Sequence, residues 1–427
     1  MNMRQQLTAS FLKIGVMYLL GTVLSLITSI LLARLLGPES FGQYAIVMAW
    51  LALVALPVAA GIPQLITREA ASYSQARSWG LYRGIFRAAN IWVVLVSGIL
   101  FSLYLVVDWT EGWLFDQGKW TLLGIVIFLL PIRGLNAMRN GAIRGLGYPS
   151  LAELPGQLIQ PLIVLVLIAI LLSYDDLSVS AVLWLQVIAG AASLIVATIL
   201  YRRVRPSLVR DFTPVYEYKA WLRALLPFTL MGVLGTLSTQ IGIVVLGFLG
   251  TDEGVAALRV AERGAQITAL SLVLVNMVIA PHIVRVYQEG DMAELQKLSR
   301  RTARGAFLLT LLLAIGLVVL GRPIIDLVFG VEYVAIAYLP MVILVLGQLV
   351  NVAFGSVGML LSMSGHENLT LLGQFAGLVA IVVLAVLLIP KYNELGAAIA
   401  ASGGLVVWNC VLGYSVATRL KIRPGIF

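Results

Sequence analysis

The chain has 427 residues, of which 60% are hydrophobic and 11% charged, and its mean hydropathy is +0.98. A soluble fold of this length cannot hide that much apolar side chain, so soluble enzymes, nucleic-acid readers and soluble cofactor proteins are excluded. The net charge of +9 therefore reads as membrane topology, a single cysteine (Cys410) precludes an internal disulfide framework, and with only His282 and His366 no zinc site can be built.

Stretches of about 20 apolar residues predict twelve transmembrane helices. They lie near 14–35, 42–66, 87–107, 120–143, 151–173, 178–201, 221–249, 254–281, 305–329, 333–362, 369–390 and 395–418. The first follows Arg4 and Lys13 but runs on past the roughly 7 to 15 residues of a signal-peptide core, so it is expected to stay as a helix. Spans four and eight are the least apolar, the fourth holding Arg133 and Arg139 and the eighth Arg259, Glu262 and Arg263. Pro155 and Pro161 are expected to bend span five. Trp50, Trp92, Trp109, Trp113 and Trp120 sit near span ends and read as interface anchors.

An even number of spans puts both termini on one side, and 23 of the 29 basic residues fall there. The positive-inside rule makes that side cytoplasmic, in the cell membrane. Asp108, Glu111, Asp116, Asp175, Asp176, Asp252 and Glu253 fall on the other side. The longest hydrophilic stretches, Arg202–Ala220 and Arg285–Arg304, are too short to fold as catalytic domains and are basic enough to lie on anionic lipid.

The chain repeats itself about its middle. Leu36-Gly37-Pro38-Glu39-Ser40-Phe41-Gly42 between spans one and two is matched by Leu249-Gly250-Thr251-Asp252-Glu253-Gly254 between spans seven and eight. Gly147-Tyr148-Pro149-Ser150-Leu151 is likewise matched by Gly365-His366-Glu367-Asn368-Leu369. The expected organisation is a six-helix lobe over 1–201, a basic linker over 202–220 and a second six-helix lobe over 221–427. With six spans per copy the repeat is parallel, related by an axis along the membrane normal. The fold class is thus an all-α integral membrane protein of about twelve helices, in two six-helix lobes around a central cavity. That is the plan of a secondary transporter; no G-x-x-x-x-G-K-[ST] is present to hydrolyse a nucleotide.

Ionisable groups inside spans cost about 2.5 to 3.5 kcal/mol each on insertion scales, so they face a cavity or a partner. In span eight Arg259, Glu262, Arg263 and Gln266 fall on one helical face. They read either as a cationic cavity wall, suited to a phosphate that arginine grips bidentately, or as a self-neutralising cluster. Arg133, Asn136, Asn140 and Arg144 share a face of span four, and Arg139 and Arg144 read equally as snorkelling to the inner interface. Glu153, Gln157 and Gln160 do the same in span five. Glu153 is a candidate ion-coupling carboxylate or an ordinary helix-start partner of the dipole. No catalytic residue, metal or cofactor is expected.

Leu31-Leu32-Ala33-Arg34-Leu35-Leu36-Gly37-Pro38-Glu39-Ser40-Phe41-Gly42-Gln43-Tyr44 resembles the opening signature of polysaccharide-biosynthesis membrane proteins, the Wzx-like flippases of lipid-linked oligosaccharides. Ala256-Ala257-Leu258-Arg259-Val260-Ala261-Glu262-Arg263 is similar to the start of their eighth span. Gly145-Leu146-Gly147-Tyr148 and Ser364-Gly365-His366 are similar to their turns after spans four and ten. The resemblance implies a V-shaped pair of lobes around a cationic cavity that opens alternately to each side, with Arg34, Arg259 and Arg263 as cavity cations. It implies a polyprenyl-pyrophosphate-linked oligosaccharide as cargo, moved to the outer leaflet for other polysaccharide assembly proteins, in contact with membrane lipid and no nucleic acid. Twelve spans, and no charge in span two, set the chain apart from the fourteen-span peptidoglycan-lipid branch of the same superfamily. The alternatives are an ion-coupled extruder of cationic drugs, which needs cavity carboxylates such as Glu153 or Glu262, and a membrane enzyme, which needs larger outer loops than Asp108–Lys119.

Overall fold

A computed structural model describes the chain over residues 3–111, 117–172 and 177–426, with side chains from residue 15 onward except at 210, 277, 278, 280 and 281. Trp113, Asp116, Asp175 and Asp176, expected in outer loops, lie outside the described residues. The described residues form helices and no strand: α1 (Met3–Val54), α2 (Leu56–Ala59), α3 (Ile62–Gln75), α4 (Trp79–Trp109), α5 (Gln117–Val126), α6 (Leu129–Gly145), α7 (Pro149–Leu154), α8 (Gln160–Leu171), α9 (Val179–Val204), α10 (Tyr218–Leu249), α11 (Asp252–Gln288), α12 (Met292–Phe329), α13 (Val331–Phe354), α14 (Val357–Met363) and α15 (Glu367–Arg419). Helices are what such apolar segments must form, since hydrocarbon offers backbone N–H and C=O groups no other partner.

Nine stretches among the described residues are long and apolar enough to cross a membrane. Two of them, Gly15–Val54 and Glu367–Arg419, have 40 and 53 residues. At 1.5 Å per residue these overrun a hydrocarbon core of about 30 Å, so each must turn back once. They do so at Gly37 (φ 73°, ψ 171°) and Asn393 (φ 46°, ψ −122°). Counting each as two crossings, and adding α11 with its charged face, accounts for the expected twelve.

The chain divides into two compact units, Met1–Leu36 with Val47–Thr236, and Gly37–Ile46 with Leu237–Phe427. In the first, α6 packs against α3, α4, α7 and α9, with Leu129, Leu130, Met138 and Ile143 fully buried. The outer face of α4, with Ile91, Val94, Leu95, Ile99 and Leu103, is exposed apolar surface of the kind lipid covers. In the second, α13 packs against α11, α12 and α15. Ile283, Leu295, Leu360, Leu361, Leu412 and Val416 form a further buried cluster.

The internal repeat shows in the backbone. Left-handed residues occur at Arg77, Glu111 and Gly147 in the first half and at Gly290, Gly330 and Gly365 in the second, separated by 213, 219 and 218 positions. After Gly147 the Tyr148 amide returns to the Ile143 carbonyl at 3.1 Å; after Gly365 the His366 amide returns to Leu361 at 2.9 Å. Only the last of these three pairs is visible in the residue types. Arginine and glutamate at 77 and 111 perform the turn that glycine performs at 290 and 330, so residue identity hides the first two.

Several segments differ from expectation. The second span is interrupted: α1 ends at Val54, α2 makes one turn, and Gly61 (φ 76°) lets α3 start afresh at Ile62 with Pro63 in its first turn. Span five bends through a π-helical turn, Pro155–Ile159. There the Gln160 amide reaches back five residues to the Pro155 carbonyl, which also accepts the Ser193 hydroxyl at 2.9 Å. Arg285–Arg304 is no loop: α11 continues to Gln288, turns at Gly290, and α12 begins with the Asp291 carboxylate capping the Glu294 amide at 2.8 Å. Trp120 is buried and stacks on Tyr104 at 5.0 Å instead of anchoring at an interface, whereas Trp109 is 86% exposed.

The basic stretch after α9 does not simply lie on lipid. It makes a 3₁₀ turn at Ser207–Arg210 and then runs along α4, with the Val215 amide on the Gly80 carbonyl at 3.0 Å and Arg83 on the Phe212 carbonyl at 2.7 Å. Glycine is required here. A Cβ on Gly84 would overlap the Val215 carbonyl oxygen, and one on Gly80 would come 3.0 Å from that of Thr213. Trp221, at the start of α10, then donates its indole N–H to the Tyr73 hydroxyl at 2.9 Å.

Candidate functional site

The Thr251 hydroxyl accepts the Gly254 amide at 3.1 Å and starts α11, whose first turn carries Asp252 and Glu253 beside the positive end of the helix dipole. The first turns of α11 are buried nearly all round, through Val255, Ala256, Leu258 and Ala265 among others. The polar row expected from the sequence runs through this buried stretch, with Arg259, Glu262 and Gln266 four, seven and eleven residues after Val255. Arg259 donates from Nη1 to Glu262 Oε2 at 3.1 Å and from Nη2 to Gln240 Oε1, on α10, at 2.9 Å. Arg263 donates from Nη1 to Gln266 Oε1 at 3.2 Å, and Tyr44 stands close enough to interact with it electrostatically.

Two cations and one carboxylate thus share this face, and Arg259 takes the carboxylate. The side chains of Arg259 and Glu262 are only 22% and 25% exposed, so the pair is held largely out of water. The row carries one net positive charge. Its planar guanidinium groups supply the paired N–H donors that suit a phosphate or pyrophosphate oxygen. Gln240 is the member that sequence reasoning missed. Its signal was a lone amide just before the apolar run Ile241–Leu249, next to Ser238 and Thr239.

Arg34 is exposed on α1, three residues before the break at Gly37, and belongs to the first unit, whereas the α11 row belongs to the second. The other candidates all lie in the first unit. Arg144 forms an ion pair with Glu153 across the turn from α6 to α7. Gln157 sits in the π-helical turn, its side chain against Gly21 of α1. Arg133 is half-buried. Asn136 reaches Ser193 Oγ at a long 3.5 Å, and the side-chain oxygens of Asn136 and Asn140 are buried with no hydrogen-bond donor among the described residues.

Arg139 is the feature of α6 that the sequence understated. It does not snorkel; it turns inward, donating to Thr198 Oγ1 at 3.1 Å, Asn90 Oδ1 at 3.2 Å and the Leu135 carbonyl at 3.1 Å, with its guanidinium 5.9 Å above the Phe86 ring. No carboxylate pairs with it among the described residues. Asn90 and Thr198, polar positions in otherwise apolar spans, were the available signal.

Residues 7–287, which include Arg34 and the whole polar row of α11, match the sequence model of a family described as "Polysaccharide biosynthesis protein". Among curated proteins none matches the chain. Among solved structures, a multidrug resistance MATE family transporter of the MOP superfamily in its inward-facing conformation superposes with a TM-score of 0.77 at 17% identity, covering 96% of this chain and 98% of that one. The lipid II flippase MurJ in an inward closed conformation gives 0.71 at 14% identity, covering 94% and 87%. A MOP superfamily transporter from Pyrococcus furiosus, whose binding pocket is described as having reverse polarity, gives 0.67 at 16% identity, covering 96% and 95%. At such identities the likeness is one of fold.

Proposed function

The chain belongs to the polysaccharide biosynthesis protein family, and on that premise we propose that it moves a polyprenyl-pyrophosphate-linked oligosaccharide across the cytoplasmic membrane by alternating access, with both termini in the cytoplasm. The observation that carries this reading is the polar row of α11, which keeps a net positive charge within a membrane-spanning helix. A pyrophosphate crossing the bilayer must shed its water, and fixed guanidinium groups replace that hydration with directed N–H donors. With the inside negative, carrying an anion outward releases about 2.3 kcal/mol per charge per 100 mV, so the membrane potential favours the biosynthetic direction. The flipped unit then passes to other polysaccharide assembly proteins on the outer side. Arg34 serves as a further cation on the substrate's path.

The extruder alternative is disfavoured because Glu153 and Glu262, the carboxylates a cationic drug would need, are already engaged by Arg144 and Arg259. The test is reconstitution. Proteoliposomes containing the protein and a polyprenyl-pyrophosphate oligosaccharide should expose the glycan to an impermeant oxidant or lectin on the far side. Arg259→Ala and Arg263→Ala proteoliposomes should not. Full exposure with both variants would remove the cationic row from the account, and movement of a cationic dye in place of the glycan would favour the extruder.

A further inference from the structure

A second cationic site lies in the first unit. The start of α4, the end of α9 and the 3₁₀ turn border an open cavity of about 360 Å³, lined among others by Tyr82, Arg83, Phe86, Arg87, Tyr201 and Arg205. That volume falls within the roughly 300 to 1,000 Å³ typical of small-ligand pockets. Three arginines line it and no carboxylate does. Arg83 is fixed by the Phe212 carbonyl, and Arg205 lies over the Tyr201 ring at 5.7 Å. Arg87 is exposed and has no hydrogen-bond or ion-pair partner among the described residues. Behind the wall stands Arg139, bonded to Asn90 and stacked on Phe86, both of which line the cavity. A guanidinium turned inward with no carboxylate is costly unless an anion stands near it.

The rim shows what kind of anion. Ile91 lines the cavity and is 53% exposed, and the exposed apolar face of α4 continues from it through Val94, Leu95 and Ile99. Leu208 and Phe212, beside the 3₁₀ turn, are exposed as well. A phosphate seated among the arginines would have this apolar face beside it, where acyl chains lie. We propose that this cavity binds the phosphate headgroup of an anionic membrane lipid, its chains running along the outer face of α4. Basic pockets between helices at a membrane surface are known sites for such headgroups. The bound lipid offsets the charge of Arg139 and fastens the segment after α9 to α4.

The test measures phosphatidylglycerol bound to the purified full-length protein in detergent, by native mass spectrometry, with phosphatidylcholine as the neutral comparison. At roughly fivefold in affinity per arginine, Arg87→Gln with Arg205→Gln should weaken phosphatidylglycerol binding about 25-fold. Arg202→Gln with Arg203→Gln removes the same charge from the end of α9 outside the cavity, and should leave it within about twofold. Circular dichroism and a melting curve confirm that both double variants are folded. Should the cavity variant misfold, Asn90→Leu, aimed at the cavity floor without loss of charge, provides the second reading and should weaken binding as well. Equal loss in the two arginine pairs would overturn the proposal in favour of diffuse attraction. Equal binding of phosphatidylcholine would overturn the requirement for an anionic lipid. Displacement of the lipid by inorganic phosphate at low millimolar concentration would reassign the cavity to a soluble phosphate.

Discussion

The pair Arg259–Glu262 separates a working cation from a self-neutralising cluster. Arg259→Gln, Glu262→Gln and the double variant close a double-mutant cycle, with glutamine keeping length and hydrogen-bonding capacity at both positions. The two charges meet at 3.1 Å with about a quarter of each side chain exposed. Exposed pairs contribute about 0 to 1 kcal/mol, and breaking fully buried ones costs about 3 to 5, so an intermediate burial places the coupling at about 1 to 2 kcal/mol. Arg259→Gln also loses the bond to Gln240, so it should be the more destabilising single change. Reversible unfolding in mixed micelles measures these energies, and glycan exposure in proteoliposomes measures transport. Arg259→Gln should fail to transport whether or not Glu262 is also neutralised, while Glu262→Gln should retain transport. If the double variant regains activity that Arg259→Gln has lost, the arginine serves only to balance the carboxylate, and the argument for a cationic row fails.

Gly84→Leu should destabilise the protein by about 1 to 3 kcal/mol, because its side chain would collide with the Val215 backbone. Gly98→Leu, in the same helix with nothing within 4 Å, is expected to be near neutral; equal effects in micellar unfolding would contradict the packing of the segment after α9. Asn393 holds a positive φ while its side chain donates to Thr251 Oγ1 at 2.9 Å and accepts the Thr251 amide at 3.2 Å. Asn393→Ala loses both bonds and keeps the strain, at a cost of about 2 kcal/mol, whereas Asn393→Gly relieves the strain and should fall between alanine and the native protein in a melting series. Glu153→Gln breaks a half-exposed ion pair, so stability should change by less than about 1 kcal/mol. Its glycan transport should keep the same response to an imposed proton or sodium gradient; a lost response would make Glu153 a coupling site.

Apolar run length made the all-helical, multi-span architecture legible from the residues alone, since it follows directly from the bilayer's thickness. Breaks inside spans were harder to read. Gly61 and the π-helical turn after Pro155 alter the direction of a helix without lowering hydropathy, so a count of apolar residues passes over them. The row Arg259, Glu262, Arg263 and Gln266 was legible because helical period alone aligns it. Gln240 was not, because its role depends on how α10 meets α11, which no local pattern records. The inward turn of Arg139 was not legible for the same reason. An arginine near a span end snorkels by default, and only tertiary contacts with Asn90, Thr198 and Phe86 turn it inward.

The most direct measurement is the fate of lipid-linked glycan in cells depleted of this protein. The account expects polyprenyl-pyrophosphate oligosaccharide to accumulate on the inner leaflet while surface polysaccharide falls, and restoration by the native chain but not by Arg259→Ala. Unchanged glycan on both leaflets, with increased sensitivity to cationic drugs, would contradict it.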